Sequence, residues 1–177
     1  MADTLPSATG RRITLRALEP IDVDTLYRWE NDTRIWEAGS TLAPFSRKQL
    51  WDYIDTYDGD IYAARQLRLM IDLTGPRETV GTLDLYDFDP ANSRCAVGIF
   101  VAPEWQRHGY AREALDTVAA HLRRHLSLHQ LYAVVADTNT TSRALFENAG
   151  YAPAAHLRQW LRRAGTYTDA TLYQKFL

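Results

Sequence analysis

The most informative segment of the chain is VAPEWQRHGYA, residues 101–111. The apolar run 94–101 leads into it, and after Gly109 the apolar residues take a helical spacing, at positions 111, 115, 118, 119 and 122. This change of period predicts a buried strand, a short loop and an amphipathic helix over about 109–125. Backbone N–H groups point outward at a helix N-terminus, where the helix dipole adds about half a positive charge. The segment therefore predicts an anion site for a phosphate or pyrophosphate, the alternative being an ordinary strand-to-helix turn.

The residue types in this loop suit an anion site. Gly109 lets the backbone approach a ligand closely, and Ala111 keeps the next contact small. Arg107 and His108 can add positive charge at the rim. The loop lacks the Gly-Lys-Ser/Thr of a P-loop and the three glycines of the dinucleotide fingerprint, so neither of these motifs is predicted.

The residues before the loop predict two helices and a strand meander. Alternation over 11–18 predicts a first strand with one buried face. Helices are expected from Asp22 to about Asn31 and from Ser46 onward, where Ser46 and Gln49 form a capping box. Three antiparallel strands follow, at 66–73, 79–88 and 94–101.

The residues after the loop predict a second strand–helix unit and a hairpin. The apolar run 131–136 predicts a strand, and a helix is expected over 139–148, with Gly150 placed to end it. Residues 151–163 and 167–176 predict two terminal strands. A crossover helix normally joins parallel strands, so the two strands that flank helix 109–125 are expected to be parallel.

These elements predict one mixed α/β domain, an antiparallel meander followed by a β-α-β-α unit and a C-terminal hairpin. With 177 residues, the chain fits one domain at about 150 residues per domain. Residues 1–10 are small and polar and are expected to form a flexible tail, which leaves 11–177 as the domain. An edge of the terminal strands could form a homodimer or a higher homo-oligomer.

Composition narrows the classes of partner and cofactor. The chain has 46% hydrophobic and 24% charged residues and a net charge of −2, which argues against bulk binding to nucleic acid or an anionic membrane. No run approaches the 18 or so apolar residues of a membrane span, and the N-terminus lacks a signal-peptide pattern, so a cytoplasmic protein is expected. The single cysteine, Cys95, excludes an internal disulfide and a Cys-based zinc site. His121, His125 and His129 lack a nearby carboxylate or Cys in the sequence and are interpreted as a solvated face, so no metal is expected.

Two motifs resemble signatures of the GNAT acetyltransferase superfamily. Gln106-x-x-Gly109-x-Ala111 resembles the Q/R-x-x-G-x-G/A motif of that family. The segment 139–151, NTTSRALFENAGY, is similar to its second signature, N-x-x-S/A-x-x-L-Y/F-x-x-x-G-F/Y. The order of predicted elements is also similar, so the resemblance covers roughly 11–177. Its layout most resembles bacterial spermidine N-acetyltransferases and ribosomal-protein N-terminal acetyltransferases.

The resemblance implies transfer of acetyl from acetyl-CoA to a primary amine by direct attack, with no covalent enzyme intermediate. It implies that strands 94–101 and 131–136 splay apart to admit the thioester, leaving backbone N–H groups that stabilise the developing oxyanion by about 3 kcal/mol each. By resemblance, the pantetheine arm would pair with Ile99, Phe100 and Val101 and would accept a hydrogen bond from Asn139. The pyrophosphate would bind the backbone amides of Gln106, Arg107, His108, Gly109, Tyr110 and Ala111.

Two positions depart from the family pattern. Many relatives carry Tyr, a general acid toward the CoA thiolate, where this chain has Phe146 beside the cofactor site. Many also carry Glu, near the acceptor amine, where this chain has Ala96. Thiolate is a good leaving group, with a thiol pKa of about 8.5, so the loss of the Tyr need not abolish turnover. Another tyrosine or a water could supply the proton. Cys95 lies in mid-strand without a His partner and is interpreted as a structural thiol.

Acidic residues are the candidates for binding and deprotonating the amine. Residues 81–87, GTLDLYD, resemble the spermidine enzymes, so Asp84 and Asp87 could hold a cationic amine and relay its proton. Residues three apart lie on opposite faces of a regular strand, so a bulge is required to bring both to one site. Glu30, Asp32 and Glu37, near Trp36, could form an acidic, aromatic wall of the acceptor cleft. The alternative for all these acids is a solvated surface, which is favoured for Asp32.

Three functions from different classes are compatible with the sequence. The first is an acetyl-CoA-dependent N-acetyltransferase whose acceptor is a small amine, such as a polyamine, or a protein N-terminus. The second, motivated by Phe146 and Ala96, is a non-catalytic acyl-CoA-binding domain. The third is an interaction domain that binds no CoA. The sequence does not decide which amine is used or whether acetyl is the only acyl group accepted.

Overall fold

The computed structural model describes residues 12–33, 43–76, 78–163 and 165–177. Its strands are β1 Ile13–Ala17, β2 Leu67–Leu73, β3 Thr79–Asp89, β4 Arg94–Val101, β5 Gln130–Ala136, β6 Ala152–Arg163 and β7 Thr166–Phe176. Its α-helices are α1 Val23–Glu30, α2 Arg47–Asp55, α3 Ile61–Ala64, α4 Tyr110–Leu126 and α5 Thr140–Asn148. Short 3₁₀ turns lie at Pro20–Asp22 and Pro103–Trp105.

The strands form one mixed sheet in the order β1-β2-β3-β4-β5-β7-β6. Neighbouring strands are antiparallel except β4 and β5, which are parallel and are joined by helix α4. The mixed α/β fold, the antiparallel meander, the parallel pair and the C-terminal hairpin are thus confirmed. Strand β7 lies between β5 and β6, so β6 forms one edge of the sheet.

Helices cover both faces of the sheet. Helix α4 buries Leu115 and Val118 against one face, where they join a cluster that includes Ile13 and Leu83. Helices α1 and α2 cover the other face over the first strands, where Leu26, Leu50 and Ile54 pack on Met70 of β2. Burying each such side chain stabilises the fold by about 1.5–3 kcal/mol.

Two helix starts show how local side chains set the backbone. The capping box is confirmed, because Ser46 N donates to Gln49 Oε1 at 2.8 Å and Gln49 N donates to Ser46 Oγ at 3.1 Å. The helix expected from Asp22 begins one residue later, after a 3₁₀ turn. The Asp22 carboxylate holds that turn, since it accepts from Glu19 N at 2.9 Å and from Arg16 at 2.7 Å.

Helix α3 was not predicted from the sequence. It is a single turn, capped by Asp60, whose side chain accepts from Tyr62 N at 2.8 Å. It ends at Arg65, which has a left-handed φ of 59°. Four residues are too few for an apolar period to show.

Two expectations concern the chain as a whole. The flexible tail predicted for residues 1–10 lies outside the described residues. Within the described ranges, every helix is too short or too polar to cross a lipid bilayer.

Candidate active site

The loop ahead of α4 presents a row of backbone donors. Arg107 and Gly109 have left-handed φ values of 65° and 84°, so the chain curls around a shared concave side, as in anion-binding nests. Within the described ranges, no protein acceptor takes a hydrogen bond from the backbone N–H groups of residues 109–112. The first α4 bond of this region is donated by Glu113 N to Gly109 O, at 3.1 Å. These donors therefore lie available at the positive end of a 17-residue helix.

Two side chains hold this loop in shape. Gln106 Nε2 donates to Val101 O at 2.9 Å, which ties the loop back to the end of β4. Arg12 Nη1 donates to His108 O at 3.0 Å, and Glu113 accepts from Arg12 N at 2.7 Å. The guanidinium of Arg12 also brings a positive charge to the loop, since a Cβ on Gly109 would lie 3.2 Å from its Nη2 atom. No local pattern in the sequence points to the contact between Arg12 and Glu113, because these residues are 101 positions apart.

The side chains predicted at the rim take different positions. His108 Nδ1 lies 2.8 Å from Gln106 O, and its ring stacks on Tyr110 at a centroid distance of 5.5 Å. The Arg12 guanidinium also lies over the Tyr110 ring, 5.1 Å from its centroid. The imidazole therefore packs along the loop and stiffens it.

Strands β4 and β5 separate beside this loop. They pair only at Arg94–Gln130, Cys95–Leu131 and Ala96–Tyr132. From Val97 onward β4 has no partner on that side within the described residues, although its pairing with β3 continues to Val101. The splayed central strands that the resemblance implies are therefore present, with a wedge open toward the loop.

The exposed backbone of β4 is set by its register with β3. Ala102 N donates to Val80 O at 2.9 Å, and antiparallel bonding alternates, so Phe100 also bonds toward β3. The N–H groups of Ile99 and Val101 consequently point into the wedge. Phe100 contributes its ring instead, which packs edge-on against Trp29 at 5.2 Å. Of the strand segment predicted to pair with pantetheine, Ile99 and Val101 thus have backbone donors on the open side.

The wedge is bounded on the β5 side by the start of α5. Asn139 caps that helix, since its Oδ1 accepts from Ser142 N at 3.0 Å, and its amide NH₂ is the group left to donate. Phe146 is buried and packs edge-on against Tyr151, at 5.1 Å between ring centroids. The Tyr151 hydroxyl is buried without a hydrogen-bond partner in the described part of the chain, and burial raises the pKa of Tyr151. A phenol that holds its proton so firmly is a poor donor to a thiolate.

Asp84 and Glu30 come together around a third side chain. Arg68 Nε donates to Asp84 Oδ1 at 2.6 Å, and Arg68 Nη1 donates to Glu30 Oε1 at 3.1 Å. The Arg68 side chain is only 24% exposed and lies 5.8 Å from the ring centroid of Tyr53. Burial alone would lower the pKa of Arg68, but the adjacent carboxylates raise it above its ordinary value. Asp84 and Glu30, both predicted to bind the amine, therefore already share the guanidinium of Arg68.

Asp87 lies on the bulge that the sequence argument required. The register of β3 shifts between Tyr86 and Asp89, and Asp87 has a left-handed φ of 50°. Its carboxylate Oδ2 lies 3.5 Å from the hydroxyl of Tyr132, the outer limit of a hydrogen bond. Tyr132 is the last β5 residue paired with β4, so Asp87 lies beside the point where the strands separate.

Tyr86 shares this face of the sheet. A Cβ on Gly98 would lie 3.6 Å from the Tyr86 ring and 3.9 Å from Asp84 Cβ. Burial, with the charge of Asp87, raises the pKa of Tyr86 to about 12. Tyr86 and Tyr132 were missed by sequence analysis, since a tyrosine in a strand carries no signal of function.

Three candidates of the sequence analysis remain, namely Trp36, Glu37 and Cys95. Trp36 and Glu37 lie outside the described residues. Cys95 is fully buried, and burial raises the pKa of its thiol to about 12, so it stays protonated and inert.

The shared guanidinium makes a prediction for stability. We expect Arg68→Met to lower the free energy of unfolding by about 2–4 kcal/mol at pH 7, because Asp84 and Glu30 lose the cation between them. Urea unfolding measures this loss. Lys48→Met, which breaks an exposed pair with Asp52, is the control and should cost about 0.5 kcal/mol. An Arg68→Met loss no larger than that of Lys48→Met would show that the shared guanidinium stabilises the fold no more than an exposed ion pair.

The chain is similar to known proteins over most of its length. Residues 12–152 match the family described as "Acetyltransferase (GNAT) domain". The uncharacterized N-acetyltransferase YoaA of Bacillus subtilis is 24% identical over 162 residues, which cover 92% of each chain. The spermidine N(1)-acetyltransferase of Vibrio cholerae is 25% identical over 158 residues, which cover 89% of each chain.

Solved structures with the same fold include enzymes with two kinds of acceptor. The crystal structure of the Vibrio cholerae spermidine N-acetyltransferase with CoA and spermine has a TM-score of 0.82 at 23% identity, over 93% of this chain and 95% of that one. The ribosomal L7/L12 alpha-N-protein acetyltransferase RimL has a TM-score of 0.84 at 18% identity, over 100% of this chain and 96% of that one.

Proposed function

Because the chain belongs to the GNAT acetyltransferase family and is an acetyl-CoA-dependent N-acetyltransferase, we propose that it acetylates a small primary amine by direct attack on the thioester. The observation that carries this proposal is the wedge between β4 and β5, which opens beside a loop of available backbone donors. The wedge fits an extended pantetheine arm, which would pair with β4 as a strand does. The loop fits a diphosphate. We take residues 11–177 to form this one acetyltransferase domain.

The CoA pyrophosphate would bind the backbone amides of the loop. The donors of residues 109–112 and the α4 dipole favour a doubly charged anion, and the Arg12 guanidinium, which is ion-paired with Glu113 at 3.2 Å, lies at the same loop. Gly109 is required where the chain comes closest to the ligand, because its φ of 84° is left-handed. The side chains of Arg107, His108 and Tyr110 would border the site, with Ala111 keeping the first helical turn narrow.

The pantetheine and thioester would lie along the open edge of β4. Ile99 N–H and Val101 N–H would pair with the pantetheine amides, and the Asn139 amide would donate to a pantetheine carbonyl. A backbone donor of β4 that points at the thioester carbonyl would stabilise the oxyanion formed on attack, by about 3 kcal/mol.

Asp87 is the proposed base, and Asp84 a residue that shapes the acceptor cleft. Asp84 is held by Arg68 at 2.6 Å, whereas Asp87 has only the long contact to Tyr132 among the residues that the structure describes. The cationic amine first loses its ammonium proton to solvent. The neutral amine then attacks the carbonyl, and its nitrogen becomes acidic as the C–N bond forms. Asp87 takes that proton, the C–S bond breaks, and the thiolate leaves and is protonated by solvent.

No protein acid is needed for that last step. The thiol pKa of about 8.5 makes thiolate a stable leaving group near neutral pH. Phe146 supplies an apolar wall instead of a proton, and burial makes both Tyr86 and Tyr151 reluctant donors.

The charge of the cleft favours a cationic amine. Glu30, Asp84 and Asp87 bring three negative charges to this face and Arg68 one positive charge. The Vibrio cholerae relative is named for spermidine, which is a cation of this kind. A protein N-terminus, the acceptor for which RimL is named, is the second candidate.

The test is acetyl-CoA consumption with a panel of amines. Spermidine, spermine, a monoamine and a peptide with a free N-terminus are each supplied with acetyl-CoA, and thiol release is measured. We expect release with at least one polyamine at a higher kcat/KM than with the peptide. Preference for the peptide would overturn the small-amine proposal.

The same protein serves for a binding measurement. CoA at 1,000 times its Kd should stabilise the fold by about 4 kcal/mol. Binding without thiol release from any amine would favour the non-catalytic acyl-CoA-binding alternative. The absence of any thermal shift would favour the interaction domain.

A further inference from the structure

We propose that Asp137, His156 and Asp169 form a binding site for a divalent transition metal, with Zn²⁺ bound more tightly than Mn²⁺. The three residues come from three adjacent strands, at the end of β5, in β6 and in β7. One ligand atom from each lies within 4.8 Å of the others. The site is separate from the wedge and does not depend on the proposed acceptor.

The two distances from His156 fit the edges of a coordination shell, and the two carboxylate oxygens lie within 4.8 Å of each other. His156 Nε2 lies 3.1 Å from Asp137 Oδ2 and 3.3 Å from Asp169 Oδ2. Ligands bound at about 2.0–2.2 Å around one metal are separated by about 3.0–3.5 Å in octahedral or tetrahedral geometry. A single proton on Nε2 can make a good hydrogen bond to one carboxylate, but not to two at once. A cation at this point satisfies both.

The outer oxygens of both carboxylates are anchored. Thr171 Oγ1 donates to Asp137 Oδ1 at 2.7 Å, and Gln159 N donates to Asp169 Oδ1 at 2.7 Å. These bonds turn each Oδ2 toward His156, as supporting bonds do around metal ligands. Gln159 reaches its position through a bulge in β6, with a left-handed φ of 50°.

The chemistry of the three groups selects the ion. One imidazole and two carboxylates suit Zn²⁺, which also binds more tightly than Mn²⁺ to most nitrogen and oxygen sites. In the described part of the chain, the only basic side chain at ion-pair distance from either carboxylate is His156. The side chains are partly exposed, so water can complete the coordination shell. The bound ion would fasten the C-terminal hairpin to the end of β5, two residues before the α5 cap Asn139.

The experiment titrates untagged, chelator-treated full-length protein with ZnCl₂ and with MnCl₂ in a calorimeter. We expect one Zn²⁺ per chain, weaker Mn²⁺ binding and a rise in Tm with Zn²⁺. His156→Ala should weaken Zn²⁺ binding at least about 100-fold, and Thr171→Val, which keeps all three ligands, should weaken it about 10-fold.

A matched control separates this site from another imidazole pair. The rings of His121 and His125 lie 4.6 Å apart on α4, so this pair is a place where Zn²⁺ could bind adventitiously. His121→Ala removes one histidine of that pair. It should leave Zn²⁺ affinity unchanged. Circular dichroism checks that His156→Ala is folded, and Asp169→Asn supplies a second test if it is not. No binding, or binding that survives loss of His156 or Asp169, would overturn the proposal.

Discussion

Gly109→Asp should lower CoA affinity by at least about 100-fold while the protein remains folded. Each amide that bonds a charged ligand contributes about 1.5–3 kcal/mol, and the new carboxylate would repel the pyrophosphate from the centre of the loop. The backbone adds a second penalty, because a side chain at a φ of 84° costs about 1–2 kcal/mol. Within 4 Å the new Cβ itself meets the Nη2 atom of Arg12, at 3.2 Å, so the guanidinium would have to shift slightly. Calorimetric titration with CoA and a urea unfolding curve measure the two effects separately.

Two variants divide this effect into its causes. Gly109→Ala has the backbone strain without the charge, so it should lose stability but retain much of the CoA affinity. Gly75→Asp adds the same carboxylate at a turn where nothing lies within 4 Å of a new Cβ, and it should bind CoA as the wild type does. Undiminished CoA affinity in Gly109→Asp would remove the pyrophosphate from this loop.

The fold could be predicted because local patterns and sheet geometry agree. The alternation of β2 and β3, the apolar run of β4 and the helical period of α4 each select one kind of element. A crossover helix then fixes β4 and β5 as a parallel pair. Ser46 with Gln49 specifies a helix start through bonds made within one turn.

The pairing of charges in the site could not be predicted in the same way. Arg68 reaches Asp84 from the neighbouring strand and Glu30 from a helix 38 residues earlier, so no spacing in the sequence announces the contact. A bulge is required to bring Asp84 and Asp87 to one site, but its presence at Asp87 depends on the register between β3 and β4. The contact between Arg12 and Glu113 likewise exists only once β1 lies beside α4.

Asp87→Asn should lower kcat for amine acetylation by about 100-fold or more, with much smaller changes in the KM for acetyl-CoA. The variant keeps the size of the side chain but cannot accept the proton that the nitrogen sheds as the C–N bond forms. Steady-state kinetics with the best amine of the panel measure this. Tyr132→Phe, which removes only the long contact to Asp87, should have a smaller effect.

Controls distinguish a base from a binding charge. Asp87→Glu should restore part of kcat, since a carboxylate one methylene longer can still reach through the exposed bulge. Asp55→Asn makes the same change of charge at an exposed position of α2 and should leave kcat unchanged. If Asp87→Asn raised the KM for the amine and left kcat intact, Asp87 would hold the cation without taking its proton. Solvent would then be the base, because Asp84 is already committed to Arg68.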